Sequence, residues 1–139
     1  MDGVVTLVIL ILSILLIMST LALIYYWADF YLRRGVQVIQ EVWYIRFQKA
    51  FPIADTWLAT CALLGAIGLL TEQTYGTLFS MLAASSMIFL ALMDITFNVE
   101  NKLYRLVGTS REMKLELVGN IWSLSVGVVL IVCLWTRIT

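Results

Sequence analysis

Histidine is absent from this chain of 139 residues. That removes histidine general bases, histidine metal ligands and any Ser-His-Asp triad. Charge is scarce as well: Asp, Glu, Lys and Arg make up 13% of the residues, against about 25% in ordinary soluble domains. Nine basic residues balance nine acidic ones, so no basic excess marks a nucleic-acid surface. Cysteine occurs only at Cys61 and Cys133, each inside an apolar run, and no C-x-x-C occurs. A membrane thiol–disulfide relay is therefore unsupported, and both cysteines read as small apolar fillers. No nucleophile motif or Gly-rich phosphate loop stands in the chain, so nothing assigns a reaction or a cofactor.

What is present is apolar. Hydrophobic residues make up 62% of the chain and the mean hydropathy is +0.96, beyond the roughly 45–50% of a soluble core-forming domain. Four runs reach the length of about 20 residues that a helix needs to cross a bilayer. They cover roughly residues 4–28, 52–70, 75–97 and 115–135. The runs are continuous rather than alternating, which selects helices over a barrel. The expected fold is an all-α membrane protein, an antiparallel bundle of four transmembrane helices forming one domain over residues 1–139. The N-terminal run lacks a basic leader and a small-residue cleavage site, so it reads as a retained span.

Lys and Arg set the orientation. Arg33, Arg34, Arg46 and Lys49 fall between the first two spans, and Lys102, Arg105, Arg111 and Lys114 between the last two. Only Arg137 lies on the other side. This bias places both long loops in the cytoplasm and both termini outside. "TEQTYG", between spans two and three, reads as a tight outer turn, and Pro52 suits the first turn of span two. Loop one interleaves Val38, Ile39, Val42, Trp43, Ile45 and Phe47 with Gln and Glu. Two forms fit it: a short amphipathic juxtamembrane helix, or an extension of span one, with Gly35 as the separator of the two segments.

The polar residues of the spans recur at helical spacing. Asp55, Ala59, Ala62 and Ala66 share a stripe, as do Ser80, Ala84, Met87, Ala91, Asp94 and Asn98. Glu116, Asn120, Ser123 and Gly127 form a third, and Asp29 lies under Tyr25 and Ala22. Membrane helices associate through small residues, so these faces are expected to pack and to turn their carboxyls inward at the cytoplasmic end. The bland account is that Asp29, Asp55, Asp94 and Glu116 are structural ties to the loop arginines and lysines. The functional account is a cytoplasm-facing polar pocket of Asp55, Asp94, Asn98, Asn120, Glu116 and Tyr25, with Trp57 and Tyr104 as further wall. In that account Asp55 and Asp94 are a close pair that shares a proton or takes up a cation, with Mg²⁺ or Ca²⁺ suiting carboxylate and amide oxygens better than zinc.

The expected partners are the lipid bilayer and no nucleic acid. The expected function is binding of a small molecule, lipid or cation in the acidic pocket. The alternative is a non-catalytic subunit or homo-oligomer, with Gly65, Gly68, Ser85 and Ser86 as contacts between chains. Small multidrug transporters, which carry a glutamate within the first span, do not fit, because residues 4–24 contain no acid.

Overall fold

The structure, a computed structural model, describes residues 3–33 and 38–138. Arg34 and Gly35, the latter the expected separator in loop one, lie outside the described residues. The described chain is helical, in the order α1 (Gly3–Leu32), α2 (Val42–Gln48), α3 (Pro52–Leu70), α4 (Thr74–Glu100), a single 3₁₀ turn (Leu103–Leu106) and α5 (Arg111–Ile138). Helices α1, α3, α4 and α5 are long and apolar enough to cross a bilayer.

Local chemistry sets the ends. Pro52 opens α3 at its first turn, where a missing N–H costs nothing. The helix closes with the Gln73 N–H donating to the Gly68 carbonyl over 2.8 Å and the Glu72 N–H to Leu69 over 3.3 Å. This is the Schellman pattern, with Glu72 in the left-handed position at φ 57°. Lys102, at φ 55°, ends α4 in the same region. Helix α5 starts one turn earlier than the apolar run suggests, because the Ser110 hydroxyl accepts from the Met113 N–H over 3.2 Å and caps it. Loop one is resolved in favour of a separate short helix: α1 stops at Leu32 and α2 is a distinct seven-residue segment.

Helix α3 packs against α1 and α4, and α4 packs against α5, while α1 meets α5 only slightly. Small residues allow the closest approaches. A Cβ on Gly68 would collide with the Gly76 backbone, and one on Gly65 would meet the Ser80 hydroxyl at 2.6 Å. Gly65 and Gly68, expected as contacts between chains, are thus occupied inside this one. Gly127 sits equally tight against Ile88 and the Ala84 carbonyl of α4. The main core joins Leu12, Leu16, Leu58, Met87 and Leu130. A second, smaller core under α2 joins Tyr44, Leu103 and Met113. Phe47 of α2 stacks on Phe97 of α4 with ring centroids 3.7 Å apart and planes 6° from parallel, fixing α2 across one end of the bundle.

Candidate functional site

The stripes on α3, α4 and α5 turn inward as their spacing predicts. Asp55, Ala62 and Ala66 are buried on α3, all six stripe residues from Ser80 to Asn98 on α4, and Glu116, Asn120 and Gly127 on α5. Helix α1 does not follow the pattern. Asp29 is half-buried while Tyr25 and Ala22 are exposed. The side chains α1 sends to the site are Tyr26 and Trp27. The reason is visible in the sequence of α1, which is apolar on every side and so carries no amphipathic signal to set its rotation.

At the α2 end of the bundle the inward polar groups form one connected network. Asn98 Nδ2 donates to Glu116 Oε1 over 2.7 Å and reaches Asp94 Oδ2 at 3.5 Å. Asn120 Nδ2 donates to the same Asp94 oxygen over 2.8 Å. The Tyr44 hydroxyl donates to Glu116 Oε2 over 2.9 Å, and the Gln48 amide reaches Asp94 Oδ1 at 3.5 Å. The Tyr26 hydroxyl in turn donates to Gln48 Oε1 over 3.3 Å. Asp55 is held apart from this chain by the Trp27 indole N–H, which donates to its Oδ2 over 2.7 Å. Tyr104 stands behind the amides, its hydroxyl 3.5 Å from both Asn98 and Asn120.

Two expectations about the acids change accordingly. The carboxyls bridged most directly are Asp94 and Glu116, through one amide, rather than Asp55 and Asp94. Besides the contact of Asp94 with Glu116, the hydrogen-bond donors that meet the three carboxyls among the described residues are neutral: indole, phenol and carboxamide. The described basic side chains, from Arg33 to Arg137, are all exposed, so ties from Asp55, Asp94 and Glu116 to loop arginines and lysines do not form among the described residues. Nor, among those residues, do three or more Asp, Glu or Cys groups converge on a metal-holding point. One acceptor, Asn98 Oδ1, is buried with no donor.

Beside the network lies a cavity of about 440 Å³. Asp55, Asp94, Glu116, Asn120, Gln48 and Tyr26 form its polar end, and Leu23, Leu58, Met87 and Leu90 are among its apolar walls. Asn98 is fully buried behind it. The exposed lining residues Met18, Tyr25, Leu115 and Val118 belong to α1 and α5, so the mouth opens sideways between these helices. Tyr25, 63% exposed, is a rim residue. At the far end the Trp122 indole N–H donates to the Ser19 hydroxyl over 2.9 Å and joins α5 to α1. Trp57 is exposed on the outside of α3, away from the lining. Gly119 lines the cavity, and a Cβ added there meets nothing within 4 Å.

Four residues of the site, Tyr26, Trp27, Tyr44 and Gln48, are not among those the sequence pattern singles out. The interleaved polar residues of loop one were the available signal. Their destination depends on α2 folding back under the bundle, a long-range event. The chain matches no protein-family model, no curated protein and no solved structure.

Proposed function

We propose that this is a multi-pass integral membrane protein, an antiparallel four-helix bundle with both termini outside and both long loops cytoplasmic. Its cavity binds a single-chain amphiphile drawn sideways from the inner leaflet. The observation that carries this reading is the cavity itself, with apolar walls along the helices and Asp55, Asp94 and Glu116 at one end. Its volume falls at the small end of ligand sites, which span about 300–1,000 Å³, suiting one chain or ring system rather than a two-chain phospholipid.

Two further features support insertion in lipid. The outer faces are broadly apolar, with Leu21 and Ile24 of α1, Phe89 of α4, and Val118 and Val132 of α5 all at least 60% exposed. Such continuous exposed apolar surface belongs against lipid or protein. The exposed hydroxyls of Thr60, Ser86 and Thr96 each donate to the carbonyl four residues back, over 2.7–2.9 Å. They present no unpaired donor to an apolar solvent. The binding site then lies at the cytoplasmic end but is entered between α1 and α5, since α2 covers the helix ends.

The test is quenching of tryptophan fluorescence by 11-bromoundecanol in a nonionic micelle, because Trp27 and Trp122 both line the cavity. Saturable quenching that disappears in Gly119→Phe, a variant that fills open space, is the expected result. Linear, unsaturable quenching that is identical in the variant overturns the reading.

A further inference from the structure

The polar end of the cavity is rich in acceptors and poor in positive charge. A carboxylate offers about four acceptor positions. Trp27 occupies one on Asp55 over 2.7 Å, and among the described residues Asp94 and Glu116 are met by amide and phenol donors and by each other. The described lysines and arginines are exposed. What such an end lacks is a group that brings several N–H donors and a positive charge together. A carboxyl against apolar walls either holds its proton or takes a counter-charge, since a lone buried charge is costly, and a cation entering the cavity is the counter-charge these acids can accept. A phosphate-bearing head would set like charges against each other at the same place.

The aromatic rings point the same way. Tyr26 and Trp27 both line the polar end, edge to face with ring centroids 5.0 Å apart. Ring faces of this kind attract an ammonium group through their quadrupole.

We propose that the cavity selects a single-chain or single-ring amphiphile with a protonated amine head. The ammonium sits against Asp55 and Asp94, beside Tyr26, and the apolar body runs between α1 and α5 toward Trp122. This inference rests on the amphiphile-binding reading above and adds the sign and type of the head group.

The test uses three probes with one chain and three heads, 11-bromoundecylamine, 11-bromoundecanol and 11-bromoundecanoate, titrated at pH 7 into the full-length protein in a nonionic micelle. The alkylamine is protonated there, since such amines titrate near pH 10.4. The expected order is amine over alcohol by at least about tenfold in Kd, a factor that corresponds to about 1.4 kcal/mol, with the carboxylate weakest. Asp55→Asn and Asp94→Asn should each weaken the amine about tenfold more than they weaken the alcohol. Retained alcohol binding in those variants also shows that they are folded. Gly119→Phe should abolish binding of both.

Equal affinity for amine and alcohol, both lost in Gly119→Phe, overturns the head-group assignment and leaves amphiphile binding standing. Tightest binding of the carboxylate probe does the same. Saturable binding of none of the three overturns both. Should either Asp variant lose the alcohol as well, the order of the three probes on the unaltered protein decides. A native mass spectrum taken without probe separates the two sources of such an amine. An adduct displaced by the amine probe marks a resident membrane amine, and a bare chain that takes up the probe marks one arriving from solution. An endogenous adduct that only the carboxylate displaces counts against the proposal.

Discussion

Asn98 on α4 and Glu116 on α5 are joined by a 2.7 Å hydrogen bond, amide to carboxyl, and both side chains are buried. The same amide nitrogen lies 3.5 Å from Asp94, so one neutral side chain reaches two acids. Asn98→Leu keeps the approximate volume and removes the donor, leaving Glu116 Oε1 without it. A buried acceptor that loses its partner costs about 1–3 kcal/mol. Thermal unfolding in detergent should show that loss. Asn98→Asp, which adds a third acid at the same point, should cost more than Asn98→Leu. Equal unfolding temperatures for all three chains would mean the network contributes nothing to stability.

Gly68 and Gly119 give a paired test of the packing. Gly68→Ala forces the backbones of α3 and α4 apart at Gly76 and should destabilise by about 1–3 kcal/mol, the usual cost of overpacking. Gly119→Ala adds its methyl group to open space and should stabilise by up to about 1 kcal/mol through helix propensity. Unfolding curves of the two variants should move in opposite directions.

Glu72 holds a left-handed conformation, φ 57°, at the end of α3. That region costs a residue with a side chain about 1–2 kcal/mol, and glycine is the usual occupant of this helix-ending position. Glu72→Gly should therefore raise stability by about 1 kcal/mol. A lower unfolding temperature would show that the Glu72 side chain has a role of its own in the turn.

The proposed orientation is checked by labelling. In a Cys61→Ala, Cys133→Ala background, Thr109→Cys lies in the loop between α4 and α5, and Gln73→Cys in the turn between α3 and α4; both positions are exposed. A membrane-impermeant maleimide added to intact cells should label position 73 and not position 109. The reverse pattern would invert the topology and put the cavity's polar end at the outer leaflet.

Much of the architecture can be read directly from the residues. The expected second span, 52–70, matches α3 at both ends, because Pro52 starts it and the apolar run stops at the turn after Leu70. The other three long helices extend one to four residues beyond their apolar runs, where capping groups such as Ser110 continue a helix that hydropathy alone does not see. Inward stripes on α3, α4 and α5 were likewise legible, since small and polar residues recur there at helical spacing. Glu116, Asp94, Asn98 and Asn120 come together as that spacing implied.

What the sequence by itself determined is thus the helical class, the four long segments and the faces of three of them, all local matters of hydropathy, propensity and periodicity. Tertiary structure alone decided the rest. It set the rotation of α1, whose uniformly apolar surface favours no face, and so brought Trp27 to Asp55 in place of Asp29. It folded α2 beneath the bundle through the Phe47–Phe97 stack, delivering Tyr44 and Gln48 to the acids. It closed α3 onto α4 at Gly68 and Gly76 while letting α1 meet α5 only slightly. The cavity exists because α1 and α5 meet only slightly, and a gap between elements far apart in the chain is written in no single stretch of residues.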